Sequence, residues 1–485
     1  MRRIMKYLLI GAVALLPAVA AAQAPAGAPA TDESLLGEFV VTGNAQGEAP
    51  LPKIALLPSL APDREDVTVR SVVHRDLELS GLFQILPDKD APGGLYGFED
   101  PVDVDAWRKL GPESIVKVAA RRVAGDPNKI EVYGLAYFLS VGKDPVYEKK
   151  LVVGPKDLRV TAHRMTDALL GALTGRNGSF ASEFVFAAKD DKTRRIFRMD
   201  ADGYDVKTIT DRSHTTIFPA WGPNRSLFYA DSVAYSPFVL TQWTPSPGST
   251  SSGIARTLNL QFGRSSLYAL ATNREKTKLA LAVSNGPGSD IWVGTIDGVD
   301  TQGTAKIGAM QKVSNTPIAT SPSFGPRGQL AWIGGDSVKA GGQRVYVDGK
   351  AVSPPGFTAA APTFCDSEDG TRIVYSVSVG GDKQDLIMSD DKGKGVQRLT
   401  QGQGTNQHPA CSPDGRLIAF SSTRNKTQGV YFMTVKRWKA TKLDDLFGEQ
   451  LRWEPLPPAP ASQTPVPPVA PVAPLEPGPV APAPK

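Results

Sequence analysis

The sequence predicts an α/β N-terminal domain followed by an all-β six-bladed propeller. The first observation is a phrase of Pro, tight turn and strand near the C-terminal end, Pro409–Phe420. Pro413 presets a turn there, and Gly415 accepts the positive φ that the turn needs. The second observation is that degenerate copies recur upstream, roughly 40–50 residues apart, which is the spacing of propeller blades. The third is that residues 53–176 read as a mixture of strands and helices.

The copies define the predicted ring. They begin at Pro219, Pro322 and Pro362, with a worn copy at Leu270 and a sixth that keeps only the strand Phe184–Ala187. Because a blade cannot bury both faces alone, each must stack on its neighbours in a closed ring. We read Leu451–Trp453 as the strand that completes the first blade. The alternative is a β-sandwich with regular turns. The first apolar residues after the turns lie 52, 51, 43 and 44 residues apart, at Leu227, Leu279, Leu330, Ile373 and Leu417.

The N-terminus reads as an export signal. A charged start, Arg2 to Lys6, precedes an apolar run, Tyr7–Leu16, and then small residues. The run is short for a membrane span, and the small residues suit cleavage near Ala20–Ala22. We therefore expect a signal peptide at 1–22, cleavage, and a periplasmic mature chain that does not insert into a membrane.

Composition divides the remaining chain into four parts. Residues 23–52 are predicted to be a flexible arm, 53–176 an α/β domain, 177–456 the propeller, and 457–485 a Pro-rich disordered tail. The arm carries one apolar island, which could add to a sheet edge or be the first strand of the next domain. Its members are Leu35, Leu36, Phe39, Val40 and Val41.

Cys365 and Cys411, in consecutive repeats, are the only cysteines. Export permits a disulfide between them, and two small buried core residues are the alternative.

Motifs that carry chemistry are missing from the sequence. The four histidines have no metal-ligand spacing, and neither a nucleophile elbow nor a phosphate loop is present. We therefore predict no enzyme activity, no catalytic or metal-binding residues and no cofactor. The net charge of +5 is small for 485 residues and argues against nucleic acid as a partner.

Polar residues just before the repeats' prolines point to binding instead. The segments before these prolines should share one face of the ring, around the mouth of its channel, and a rigid ring that presents loops is a binding platform. The predicted docking residues are His214, Thr216, Thr320, Ala360, Asn406 and His408.

Several phrases resemble the TolB family, the periplasmic components of the Tol-Pal system. In the α/β region they are Asp76–Phe83, Trp107–Gly111, Val116–Val118 and His163, followed by the junction Leu173–Phe180, Asp200–Tyr204 and the Pro-led repeats. The long second repeat, Ser236–Arg256, the third repeat near Ser266–Leu270, which lacks the family's His, and the Pro-rich tail depart from the pattern.

The resemblance implies a monomeric, non-catalytic protein with two partners. Pal, an outer-membrane lipoprotein, would dock on the channel-mouth face, and TolA, anchored in the inner membrane, would take up the arm. The family's role implies support of outer-membrane integrity and of invagination during cell division. Two other functions stay open: an exported propeller hydrolase or lyase with a site in the channel, and a ligand-binding sensor propeller.

Overall fold

The computed structural model describes residues 41–42, 50–59, 64–94, 96–233, 236–249, 251–260, 262–263, 265–336, 342–437 and 439–455. The predicted signal peptide and tail lie outside these residues, as do Leu35, Leu36, Phe39 and Val40 of the arm. Within the described ranges, the helices all lack the combination of length and apolarity needed to cross a membrane.

The N-terminal unit is a five-stranded sheet in the order β3-β2-β4-β5-β6, with helices on both faces. After β1 (Val41–Thr42), its elements are β2 (Lys53–Leu56), α1 (Arg64–Ser80), β3 (Gln84–Ile85), α2 (Val104–Arg108), β4 (Ser114–Val123), β5 (Asp126–Phe138), β6 (Tyr147–Val153) and α3 (Leu158–Thr174).

The two long helices of this unit cover one face of its sheet. Val69, Val73 and Leu77 of α1 recur at helical spacing and are buried against Ile54 and the other strands. The opposite face packs on α2 through Trp107. This unit therefore mixes strands with helices.

The rest of the described chain is a succession of antiparallel sheets. Their strands are β7 (Ser182–Asp190), β8 (Thr193–Asp200), β9 (Lys207–Thr208), β10 (Thr215–Trp221), β11 (Leu227–Ser232), β12 (Val239–Pro245), β13 (Gly253–Thr257), β14 (Leu267–Thr272), β15 (Lys278–Ser284), β16 (Ser289–Val299), β17 (Ala305–Ile307), β18 (Gln311–Lys312), β19 (Ile318–Phe324), β20 (Leu330–Gly335), β21 (Gln343–Val347), β22 (Lys350–Ala351), β23 (Ala359–Ser367), β24 (Gly370–Ser378), β25 (Gln384–Asp390), β26 (Gln397–Arg398), β27 (Asn406–Cys411), β28 (Leu417–Ser422), β29 (Gly429–Thr434), β30 (Thr441–Asp444) and β31 (Glu449–Pro455).

One strand from each group forms a closed circuit. We call β10, β14, β19, β23, β27 and β31 the inner strands; each packs against the next, and β31 packs against β10. The predicted closing strand is present, because β31 pairs antiparallel with β7 and places Trp453 opposite Phe184. Apolar clusters fill the spaces between neighbouring sheets. A mostly-β chain of such sheets around an axis has the arrangement of a β-propeller.

The inner strands share a bulge. The pairing register shifts within each of them, and in four the residue before the repeat's Pro has a positive φ: Phe218, Ser321, Ala361 and His408. Gln450 of β31 has the same conformation. Bulges bend a strand and re-aim its side chains. The Pro of each repeat therefore marks a bend on the ring axis as well as the start of a strand.

One strand pairing joins two segments that are distant in the sequence. Val41 and Thr42 of β1 run parallel to Gln397 and Arg398 of β26, at the outer edge of the β23–β26 sheet. The end of the predicted arm thus adds to a sheet edge, one of its two alternatives.

Cys365 of β23 and Cys411 of β27 form a disulfide with Cα atoms 5.3 Å apart, which confirms the first of the two alternatives given for the cysteines. The bond joins consecutive inner strands.

Candidate functional site: the channel mouth and the domain junction

The starts of the inner strands line one mouth of the channel, and distance from the repeat's Pro decides which side chains are accessible there. Three residues before the Pro, the side chain is buried in all four Pro-containing repeats with the bulge: Thr216, Ala319, Ala359 and Asn406. Two residues and one residue before the Pro, every side chain is half-buried. These two positions hold Ile217, Phe218, Thr320, Ser321, Ala360, Ala361, Gln407 and His408.

Thr216 and Asn406, two of the predicted docking residues, point into the fold. The hydroxyl of Thr216 shares a hydrogen bond of 2.7 Å with that of Thr210. The amide of Asn406 donates to Asp385 at 3.3 Å and accepts from Ser422 at 2.8 Å. Because both side chains are buried and already hydrogen-bonded within the protein, we leave them out of the docking face proposed below.

Thr320, Ala360 and His214 are accessible at or near the mouth. Thr320 and Ala360 occupy equivalent places on neighbouring inner strands, two residues before their prolines. His214 lies at the outer rim, where its Nδ1 is 2.9 Å from a carboxylate oxygen of Asp231.

The two predicted mouth histidines are therefore not equivalent. His214 lies five residues before Pro219, whereas His408 is itself the bulge residue before Pro409, with φ near 54°. The His408 ring is half-buried, and its Nδ1 is enclosed without a hydrogen-bond partner. Burial lowers the pKa of His408 to about 4, so the ring is neutral at pH 7.

Tyr268 is a mouth residue that the sequence analysis missed. It lies at the register shift of β14, in the repeat that departs from the family pattern, and 45% of its surface is exposed. The sequence held a signal for this residue, because Tyr268 lies two residues before the worn copy that begins at Leu270. We define the mouth residues as Tyr268 and Gln450 together with the eight at the two accessible positions above.

A second polar site, also missed, lies where the N-terminal unit meets the sheets. Arg159, His163 and Asp167 are four residues apart on α3 and so share one helix face. Arg159 pairs at 3.1 Å with Asp200, the last residue of β8, and also binds Asp202 in the turn that follows. His163 donates from Nδ1 to Asp76 of α1 at 2.8 Å, and its Nε2 is 4.0 Å from Asp202. The helix thus carries one row of contacts to the neighbouring unit.

The electrostatics of this junction favour ion pairing. Burial opposes the charge on His163, but Asp76 and Asp202 outweigh it and raise its pKa to about 9. Although Asp76, His163 and Asp202 place ligand-type atoms within 4.8 Å of one another, Arg159 already neutralises Asp202. We therefore interpret the cluster as an interdomain ion-pair network.

The family-like phrases of the sequence lie at this junction. Gly81, from the Ser-Gly-Leu-Phe phrase, has φ near 61°, and a Cβ there would lie 2.7 Å from the side chain of Thr434 in β29. In the Leu173–Phe180 phrase, the main-chain N–H groups of Phe180 and Ala181 donate to Asp167, at 2.6 and 2.9 Å. Burial, which these donors only partly offset, raises the pKa of Asp167 to about 7. The phrases thus encode contact between two units.

Comparison with known proteins agrees with this geometry. Residues 41–133 match the family model of the TolB amino-terminal domain. A relative named Tol-Pal system protein TolB, from Albidiferax ferrireducens, is 28% identical over 208 residues, which are 43% of this chain and 47% of that protein. A protein of the same name from Nitrosospira multiformis is 30% identical over 155 residues, 32% of this chain and 34% of its own length.

The chain spans less than half of the length of these curated relatives. The crystal structure of TolB from Acinetobacter baumannii matches 85% of this chain and 98% of its own, with a TM-score of 0.66 and 19% identity, which shows a common fold. The resemblance predicted from the sequence is thereby confirmed: the chain carries a TolB amino-terminal domain and is similar to TolB proteins.

Proposed function

We propose that this chain is a non-catalytic periplasmic scaffold of the Tol-Pal system. In this proposal an exported α/β domain, residues 53–176, is followed by a six-bladed propeller, residues 177–456, and the chain acts as a monomer. The propeller binds Pal at its channel mouth, and the arm binds TolA. Together these contacts support outer-membrane integrity and invagination during cell division.

The observation that carries the Pal proposal is the chemistry of the mouth residues. Their side chains are half-buried or exposed, and Asp, Glu, Lys and Arg are all missing from the set. They stand on bulged strands that are held by neighbours on both sides. A rigid, weakly charged surface with an accessible aromatic ring such as Tyr268 is the composition expected of a protein-binding core. We retain His214, Thr320, Ala360 and His408 in this docking face.

The TolA proposal is supported by the pairing of β1 with β26. Only two residues of the arm, Val41 and Thr42, add to the sheet edge in the described structure. So short a pairing is worth little, and the docked and free arm differ by only a few kcal/mol, within reach of a partner's differential affinity. Occupation of the mouth by Pal would bias whether the arm is docked or offered to TolA.

The experiment that tests the Pal contact is titration of the mature chain with the soluble domain of Pal. Thr320→Arg places a long charged side chain in the mouth and should weaken binding about tenfold or more. Thr301→Arg, in the exposed turn after β16, is the matched control and should bind as the wild type does. Equal affinities for all three proteins would reject the docking face.

The arm is tested separately with the TolA C-terminal domain. Deletion of residues 25–50 should abolish TolA binding while Pal still binds, because the mouth residues are untouched. The affinity for Pal should change only by the factor through which Pal biases docking of the arm. TolA binding that survives the deletion would remove the arm from the proposal.

A further inference from the structure

The opposite end of the channel holds a cavity of about 190 Å³. All six inner strands contribute to its wall through residues at or near their C-terminal ends, among them Trp221, Thr272, Phe324, Thr363, Ser412 and Arg452. The cavity therefore lies on the channel axis, away from the mouth residues.

Arg452 of the closing strand enters this cavity without an acidic partner. Its guanidinium donates to the main-chain oxygens of Leu451, at 3.2 Å, and Leu270, at 3.4 Å. Among the described residues, none with a carboxylate lies within ion-pairing distance of Arg452. Two other buried arginines of the ring pair with carboxylates, Arg398 with Asp385 and Arg198 with Glu183. A third, Arg424, instead donates to the neutral side chains of Ser422 and Asn406.

An enclosed cation that lacks a counter-charge is costly. Removal of a charge from water costs several kcal/mol unless a partner of opposite sign offsets it. Burial accordingly lowers the pKa of Arg452 to about 10. The guanidinium still carries its charge at pH 7, and its fork of N–H donors fits the paired oxygens of a carboxylate or phosphate.

Apart from Arg452, the cavity wall carries two cations and two carboxylates. Arg274 and Lys276 line it beside Arg452. Lys276 is balanced by Glu454 at 2.9 Å, whereas Arg274 is exposed and makes no ion pair within the described part of the chain. The one further carboxylate of the wall, Asp366, is exposed to solvent. Thr363 adds a hydroxyl to the lining, whereas the hydroxyls of Thr272 and Ser412 already donate to Trp221 and Asp414.

We propose that this end of the channel is a binding site for a compact oxyanion, seated on Arg452 with Arg274 adding attraction. The chemistry is that of a carboxylate or phosphate group, and its source is either a free ion or an acidic peptide side chain. The site is separate from the proposed Pal contact at the other mouth, although Arg452 is near enough to His408 to contribute to lowering the pKa of that ring.

The test uses the mature wild-type chain and two separate ligands, inorganic phosphate and an acetylated, amidated tri-glutamate peptide. Each is titrated by calorimetry against sodium chloride at matched ionic strength. Binding of phosphate identifies a free ion, binding of the peptide alone identifies a side-chain carboxylate, and either result supports the site. If neither phosphate nor the peptide binds more tightly than chloride, the proposal is overturned.

The variants assign the site to its residues. Arg452→Met should weaken the binding about tenfold or more, and Arg274→Gln by a smaller factor, since Arg274 is exposed. Arg212→Gln, at an arginine whose side chain is 74% exposed, is the control and should bind as the wild type does. Equal binding by Arg452→Met and the control would overturn the assignment.

A second measurement covers the case in which Arg452→Met does not fold. The side-chain Nε–H signals of ¹⁵N-arginine-labelled wild-type protein are followed as the ligand is added. The site requires the Nε–H signal missing from the Arg274→Gln spectrum, which is thereby assigned to Arg274, to shift together with one further signal from an enclosed arginine. A spectrum that does not change on addition of either ligand overturns the proposal.

Discussion

The domain junction and the channel mouth each enclose a histidine, and the two rings are held in opposite states. His163 at the junction lies between Asp76 and Asp202, which raise its pKa to about 9, so the ring is charged. His408 at the mouth has an enclosed Nδ1 with no partner, and burial lowers its pKa to about 4, so the ring is neutral.

This difference separates two kinds of buried surface. The junction satisfies its charges internally, through Arg159, His163 and three carboxylates, and so fixes one unit against another. The mouth leaves weakly charged side chains half-exposed on rigid strands, which makes a surface that a partner can cover at little desolvation cost. We therefore expect mutations at the junction to change stability, and mutations at the mouth to change binding.

The largest expected effect is loss of the junction network. Asp202→Ala removes the buried carboxylate that pairs with Arg159 and faces His163, which keep Asp200 and Asp76 as partners. Removal of one member of a buried ion pair costs up to about 3–5 kcal/mol. The free energy of unfolding is measured by urea denaturation. Asp205→Ala, on the exposed side of the same turn, is the control and should cost less than about 1 kcal/mol. Equal effects would mean that the junction network does not hold the units together.

The disulfide should rank next. Replacement of Cys365 and Cys411 by Ser opens a loop of 46 residues and should cost about 2–4 kcal/mol. The bond joins two inner strands, but neither cysteine is one of the mouth residues. The affinity for Pal should therefore stay within about twofold of that of the wild type. A large loss of affinity at unchanged stability would show that the bond shapes the docking face.

The two histidines should act at opposite ends of the pH range. His163 is stabilising below its unfolded pKa of about 6.5, and that contribution, about 1–3 kcal/mol, is lost as the pH rises toward about 9. His408 must be neutral to fold, so stability is lost as the pH falls from about 6.5 toward about 4.

Urea denaturation between pH 4 and 9 tests both signs. The alkaline limb should flatten in His163→Gln, in which Asp76, Asp202 and Arg159 remain. The acid limb should flatten in His408→Gln, where Glu449 and Arg452 are the nearby charged groups. If His163→Gln instead flattens the acid limb, the assigned charge states are wrong.

The smallest effect concerns contact across the junction. Gly81 and Gly125 both have a positive φ, but only Gly81 has a neighbour where its Cβ would lie. Substitution by Ala strains both backbones equally, and Gly81→Ala adds a clash with Thr434, so it should cost about 1–2 kcal/mol more than Gly125→Ala. Equal losses of stability in the two variants would show that the contact between Gly81 and Thr434 adjusts without a cost in free energy.

The sequence predicted local structure and the repeats better than it predicted which distant residues contact one another. The Pro-led phrases marked the inner strands and the closing strand because turn chemistry and alternation are local. Whether Thr216 faces outward or inward depends on its distance from a bulge, which a single repeat does not reveal. Asp76, His163 and Asp202 lie on three separate elements, so no spacing along the chain could have predicted that they meet.

The most direct test of the scaffold account compares the affinity for Pal of two variants at opposite ends of the channel. We predict that Thr320→Arg at the mouth weakens Pal binding about tenfold or more, whereas Arg452→Met in the cavity leaves it within about twofold. Loss of Pal binding in Arg452→Met with full binding in Thr320→Arg would contradict the account and place the partner at the other end.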